Sequence, residues 1–343
     1  MNSLRVLIVT PAAPGSRHGN RVTALRWAGH LRALGHEAEV ALEWDGHDCD
    51  VLVALHARRS HGAIHAWKST HPALPLALVL TGTDLYRDIR SDADARASLR
   101  LADRLVVLQP RGVDELTPAQ RAKTGVIFQS VRTLQRRAPP RSYFLVTVIG
   151  HLRDEKDPFR AARALAHLPQ RAIRVVQLGQ AMTPETGREA RAIMRAEPRY
   201  RWLGELDHAG AMRWLARSHA MVISSRMEGG AHVVSEAIAM GVPVIASAIR
   251  GNIGLLGEDY PGYYPFGNEV ALAALLARAQ SDPAWLATLE AAVRARARQV
   301  DPATERAAID RLIADLIRGR KSERTRPPGS IPRSYVGVSM RKK

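Results

Sequence analysis

In the first half of the chain, short apolar runs alternate with longer stretches whose apolar residues return every three or four positions. Leu4–Val9, Ala38–Ala41, Val51–Leu55, Leu76–Leu80, Arg104–Val107 and Thr124–Ile127 read as strands. Between the first two, Val22, Leu25, Ala28, Leu31 and Leu34 fall at helical spacing, which predicts one buried face for a helix over 21–34. Gly35 then predicts a left-handed cap. Strands and helices in alternation specify a parallel sheet with crossover helices.

The segment 136–142, Arg-Arg-Ala-Pro-Pro-Arg-Ser, interrupts this pattern and reads as an interdomain linker. The alternation then restarts. Strands are expected at Tyr143–Ile149, Arg174–Leu178, Arg201–Leu203, Met221–Ser224 and Val242–Ala246. Helices are expected at Asp157–His167, Arg188–Ala196, Ala209–His219 and Val233–Met240, and within 269–280, 283–298 and 303–318. A length of 343 residues, set against roughly 150 per domain, agrees with two units. The reading is an α/β chain of two Rossmann-like domains, 1–138 and 143–319, facing a central cleft, with a basic flexible tail at 320–343. Ligands in such sheets sit at the carboxyl ends of the strands.

Composition narrows the class. Apolar residues make up 46% of the chain, enough for two cores, but the longest nearly apolar run, Pro72–Leu80, is far short of the roughly 20 residues of a spanning helix. The apolar N-terminus reads as a strand rather than a cleavable signal, and a single cysteine, Cys49, allows no internal disulfide. A cytoplasmic protein without stable membrane insertion is expected. The net charge of +17 raises the question of nucleic acid. Eight Lys or Arg against one Glu in 320–343 account for about +7 of it, and the rest is scattered as single arginines. With aromatics at 5%, the interleaved stacking platforms of single-strand binders are missing. No nucleic-acid partner is expected; oligomeric state is not legible.

The sharpest motif is Ser224-Ser225-Arg226-Met227-Glu228-Gly229-Gly230-Ala231-His232-Val233-Val234-Ser235-Glu236-Ala237. A strand ends, a glycine pair turns the backbone, and a helix begins. Gly229 and Gly230 let backbone N–H groups approach an anion, and the helix N-terminus adds partial positive charge. Of the two carboxylates, Glu228 at the turn can face a sugar, whereas Glu236, about a turn into the helix, can reach a ribose diol. Continued as Ala237-Ile238-Ala239-Met240-Gly241-Val242-Pro243-Val244-Ile245, with Trp202-Leu203-Gly204-Glu205-Leu206 upstream, this stretch resembles the family-four glycosyltransferases of GT-B fold. The resemblance implies that Glu236 binds the donor ribose and Glu228 the donor sugar. The backbone at Gly229, Gly230, Ala231 and His232 would hold the phosphates, and that near Leu206 the base.

Gly150-His151-Leu152-Arg153-Asp154-Glu155-Lys156-Asp157-Pro158 follows the first strand of the second half. The family has Gly-Arg-Leu and a Lys at the position of Lys156, cations that meet charge developing on the leaving diphosphate without a metal. His151 stands where the Arg is expected. Either His151 replaces it or Arg153 does, and Arg153 is favoured because its charge is independent of pH.

In the N-terminal half the first βα loop holds Arg17, His18, Asn20, Arg21 and Thr23, and two further strand ends add His56, Arg58, Arg59 and Asp84. Convergence of these cations on one rim would make an anion site for the acceptor. The string from Thr10 to Trp27, with Leu80-Thr81-Gly82-Thr83-Asp84-Leu85-Tyr86 and the 150–158 loop, resembles one branch of these enzymes, the selenosugar synthases of bacterial selenoneine biosynthesis. That resemblance implies transfer from UDP-N-acetylglucosamine or UDP-glucose to selenophosphate, with no cofactor or metal. An ordinary GT-B enzyme with a sugar or lipid alcohol acceptor is the alternative.

Overall fold

A computed structural model of the chain describes residues 3–16, 18–132, 135–169 and 172–324. Two six-stranded sheets, parallel throughout, form its frame. In the first, β1 (Arg5–Val9), β2 (Glu37–Ala41), β3 (Val51–Leu55), β4 (Leu76–Leu80), β5 (Arg104–Val107) and β6 (Thr124–Val126) lie in the order β2-β1-β3-β4-β5-β6. In the second, β7 (Phe144–Ile149), β8 (Ile173–Leu178), β9 (Tyr200–Trp202), β10 (Ala220–Ile223), β11 (Val244–Ser247) and β12 (Tyr263–Tyr264) lie in the order β12-β11-β10-β7-β8-β9. Strands β3 and β4 are buried at every position, so both faces are covered and the runs read as continuously apolar. The second sheet reverses its winding between β7 and β10, which are hydrogen-bonded neighbours. The loops leaving these two strands therefore flank one crevice, the place where doubly wound sheets bind ligands.

Two expectations are corrected here. The first helix, Gly19–Ala33, buries Thr23, Ala24, Trp27, Ala28, His30 and Leu31, whereas Val22 and Leu25 are 39% and 50% exposed. Its buried face is turned by about one residue because the helix packs between the sheet and the last helix, leaving the edge with Val22 and Leu25 free. The last helix, Pro302–Arg324, does not complete the C-terminal domain. Its Ile309, Leu312, Ile313 and Leu316 join the N-terminal core with Trp27, Ala28 and Leu31. The boundary drawn at 319 thus falls inside a helix that belongs to the other domain, and the start of the expected tail is helical. The rest of that tail, 325–343, lies outside the described residues.

The expected linker is anchored. Arg136 donates to the carbonyls of Gly241 (2.8 Å) and Ser218 (3.2 Å), and Arg137 N bonds Ala216 O at 2.9 Å. Where the chain returns, Val131 N bonds Val300 O at 2.9 Å, so the two crossings lie side by side. Gly35 is left-handed at φ 86°, as expected after the first helix. Among the described residues no helix is long and apolar enough to cross a membrane.

Candidate active site

At the end of β7, Gly150 and the residues after it make a loop that closes on a single 3-10 turn, Asp154–Lys156, and Asp157 adopts a left-handed φ of 44°. The loop after β10 is bonded to it. Ser224 Oγ donates to Asp157 O at 2.8 Å, and Arg226 N donates to Glu155 O at 2.8 Å. This zipper brings Lys156 Nζ within 2.5 Å of Glu228 Oε1, which also accepts from Ser225 Oγ at 2.5 Å. Ser225 is held in turn by Ser247 Oγ, which donates to its carbonyl at 2.7 Å. A Cβ on Gly251 would lie 2.0 Å from the Glu228 carbonyl, so the helix beginning at Arg250 can reach this turn only with glycine there. Glu228 is buried, and its carboxylate is fixed by a cation and a hydroxyl.

One turn into helix His232–Met240 lies Glu236, 4% exposed. His208 Nε2 bonds its Oε1 at 2.7 Å, and His232 Nε2 approaches the same oxygen at 3.6 Å. Burial pushes His232 down to about 4, so it is neutral near pH 7. His151 is half-buried and also shifted down, chiefly by burial. Its Nδ1 accepts from Gln180 N at 3.2 Å, which leaves the proton of the neutral ring on Nε2. Arg153 is exposed at the surface.

His151, His208 and His232 border a cavity of about 970 Å³. One wall carries Gly150, His151, Gly179, Glu205, Leu206, His208 and His232; the other carries Val22, Leu25 and Arg26 of the first helix and Arg306 of the last. Gly179 makes the crevice possible: at φ 144°, a Cβ there would sit 2.0 Å from Gly150 O. The apolar residues that escaped the core, Val22 and Leu25, thus form part of the cavity wall.

The glycine pair has a second reason to be glycine. A Cβ on Gly229 would lie 2.3 Å from Thr81 O, and one on Gly230 would lie 2.6 Å from Leu108 Cβ. Gln129 Nε2 donates to Gly230 O at 3.1 Å. The turn that carries Glu228 is therefore pressed against strand ends of the N-terminal sheet, and the two domains are closed on each other.

On that N-terminal edge Asp84 is fully buried, and its oxygens accept from Ala57 N, Thr81 N and Gly82 N, each at 2.9 Å. The carboxylate fills its own nest of backbone donors. His56 is buried and left-handed at φ 77°; its Nδ1 accepts from Arg59 N at 3.3 Å and its Nε2 lies 3.1 Å from Thr83 Oγ1. Burial shifts it down, toward the neutral ring. Arg58 pairs with Asp88 at 3.0 Å, and Thr23 Oγ1 lies 3.5 Å from Gln129 Oε1. Thr23, His56, Arg58 and Asp84 therefore have protein partners. Asn20 is half-buried at the start of the first helix. Arg21 is different: its Nε and Nη1 are buried with no acceptor among the described residues. His18 comes within 6.2 Å of His151, ring centre to ring centre, which carries the first loop over the loop after β7. Arg17 lies outside the described residues.

Residues 132–300 match the family described as glycosyl transferases group 1. That stretch is similar to the group 1 glycosyl transferases over the C-terminal domain. Over 272 residues the chain is 24% identical to glycosyltransferase 1 domain-containing protein 1 of Xenopus tropicalis, covering 71% of this chain and 79% of that one. Its fold is GT-B. The Anabaena protein Alr3699/HepE, solved in complex with UDP-glucose, superposes with a TM-score of 0.73 at 17% identity, over 91% of this chain and 100% of that one. Sucrose-phosphate synthase from Thermosynechococcus elongatus gives 0.74 at 17% identity, over 93% and 99%.

Sequence reading missed His208, Ser225, Gln129, Arg26 and Gly179 as contributors to this region. His208 and its partner Glu236 are 28 residues apart, and Gln129 and Gly230 are 101 apart. No local pattern links such pairs.

Proposed function

We propose that this protein is a group 1 glycosyltransferase that takes its sugar from a UDP-sugar, UDP-N-acetylglucosamine or UDP-glucose, and delivers it to selenophosphate. Glu236 binds the ribose diol, and Leu206 and Glu205 border the base. The helix N-terminus at Ala231 and His232, which lacks a side-chain cap, faces the diphosphate. Lys156 meets the charge that develops on the leaving group, and Glu228 orients the sugar. The likeness to a protein solved with UDP-glucose supports the donor class.

The observation that carries the acceptor is Arg21. A guanidinium whose Nε and Nη1 are buried with no acceptor among the described residues sits in the first turn of the first helix, whose preceding residue, His18, stands beside His151. Leaving such donors unmet costs free energy, and an anion meets them. Selenophosphate is such an anion, and its selenium carries no proton to be removed in the transition state. The C1–O bond to UDP breaks as the C1–Se bond forms; water then cleaves Se–P, giving a 1-seleno-sugar and phosphate. No general base is required for the transfer. Side-chain cations supply the counter-charge, so chelators are expected to leave the rate unchanged.

An alcohol acceptor is the second reading, and the likeness to sucrose-phosphate synthase favours it. A UDP-release assay separates the two when UDP-N-acetylglucosamine and UDP-glucose are each crossed with selenophosphate, thiophosphate, phosphate and sugar alcohols. Selenophosphate-dependent release is expected. Release with alcohols alone gives the function to the second reading.

A further inference from the structure

Glu236 carries the nucleotide reading, and beside it stands a residue to which that reading gives no role. His208 opens the helix His208–Ala216, placed there by the Asp207 N-cap, whose Oδ1 accepts from Gly210 N at 2.7 Å. Its Nε2 donates to Glu236 Oε1 at 2.7 Å. His232 Nε2, one turn before Glu236 on its own helix, comes to the same oxygen at 3.6 Å. Both imidazoles meet Oε1, and among the described residues none donates to Oε2.

We propose that His208 is a positioning residue for the donor: it pins Oε1 of Glu236, so that Oε2 is presented to the vicinal hydroxyls of the donor ribose. The proposal rests on the nucleotide-donor reading.

The exposures of the two side chains argue for positioning rather than structural support. The His208 side chain is 67% exposed and that of Glu236 5%. A bond to so exposed a ring adds little to folding stability. What it fixes is the rotation of a carboxylate held between His208 and His232, two residues of the cavity wall, and a group held in its bound orientation loses less freedom when the ligand arrives.

His208 is also the better charged donor of the two histidines. Its hydrogen bond to Glu236 shifts it up, with the charges of Glu236 and Asp207 adding to the effect, whereas His232 is buried as the neutral ring. The other titratable or charged groups on the cavity walls are His151 and Glu205 from the C-terminal domain, Arg26, His30 and Arg306 from the N-terminal side, and Arg132 where the chain crosses between the domains. Glu305 lies behind Arg26 and His30. As pH rises through the raised value of His208 the ring loses its charge, the bond to Glu236 weakens, and donor binding weakens with it.

The test is calorimetric binding of UDP to the full chain, for the wild type and for Glu236→Gln, His208→Ala and His208→Gln. Glu236→Gln is expected to weaken UDP. His208→Ala is expected to weaken it about threefold to tenfold, the worth of one hydrogen bond, with thermal stability unchanged. His208→Gln keeps an N–H donor without a titrating charge, so it restores most of the affinity. The terminal phosphate of free UDP titrates the same way against every variant, so the wild-type profile measured against that of His208→Gln reads the imidazole. Because the His208 value is raised, wild-type affinity is expected to fall relative to His208→Gln as pH rises above the ordinary imidazole value of about 6.5. UDP binding that is weakened by Glu236→Gln but unchanged or tightened by His208→Ala overturns the proposal alone, as does a His208→Gln profile parallel to the wild type. Failure of the wild-type protein to bind UDP overturns the nucleotide reading, and this proposal with it.

Discussion

Lys156 and Glu228 are 72 residues apart in the chain and 2.5 Å apart in space. That proximity comes from the zipper between the loops after β7 and β10, two adjacent strands of the second sheet. Lys156→Ala leaves Glu228 with Ser225 as its remaining donor and, in the proposed reaction, removes a cation from the path of the leaving diphosphate. Single-turnover rates are expected to fall by about 2–4 kcal/mol of transition-state stabilisation; a rate within twofold of wild type would remove Lys156 from the clamp. Glu228, Glu236 and Lys156 were legible in the sequence because each sits at a fixed place in a strand–turn–helix motif. The contest between Arg153 and His151 was not, since a loop's side-chain directions are set by its packing. In the structure His151 borders the cavity and Arg153 is exposed. Asp84 was legible as a strand-end carboxylate but not as one that saturates its own backbone nest.

The last helix is the element whose destination the sequence hid. Ile309, Leu312, Ile313 and Leu316 mark an amphipathic helix but do not say which domain covers that face. The structure adds a polar lock: Glu305, 1% exposed, accepts from Arg26 Nε (2.8 Å), Trp27 Nε1 (2.9 Å), His30 Nε2 (3.2 Å), Ser130 N (2.9 Å) and Ser130 Oγ (2.5 Å). Burial alone raises its carboxyl, but the bonds from His30, Arg26 and Ser130, with the charge of Arg26, prevail and hold it at about 2. Because the folded value is depressed, this contribution is complete above the unfolded value of about 4.3. It is lost as pH falls from there toward 2. Glu305→Gln is expected to lower unfolding free energy by about 3–5 kcal/mol at pH 7, with wild-type and variant denaturation curves converging as pH drops below 4. A gap that stays constant down to pH 2.5 would mean that the carboxylate's charge contributes nothing. The strands were more transparent: β3 and β4 were placed to the residue, because a strand buried on both faces is a continuous apolar run.

At the scale of the molecule, the two domains meet through backbone contact and through ion pairs across the cleft. Arg111 pairs with Glu258 at 2.6 Å, Arg87 with Glu155 at 4.0 Å, and Glu115 is clasped by Arg90 of its own domain and Arg250 of the other. Gly229 meets Thr81 backbone to backbone, where no side chain can give way, so Gly229→Ala forces the domains apart. It is expected to slow turnover by more than about tenfold, or 1.4 kcal/mol, and to enlarge the radius measured by small-angle scattering. An unchanged radius with normal turnover would show that the closed contact is not part of the catalytic cycle. The two-domain plan was readable from the restart of the pattern after residue 142, but closure was not, because it depends on backbone surfaces that no residue pattern announces. In the proposed reaction selenium reaches C1 of the donor sugar inside that closed cleft. Purified protein incubated with UDP-N-acetylglucosamine or UDP-glucose and selenophosphate, with products read by high-resolution mass and selenium NMR, tests it directly. A product with the selenium isotope pattern and selenium bonded to C1, formed together with UDP, is the predicted result. UDP formed only when an alcohol is present, with no selenium in any sugar product, would contradict it.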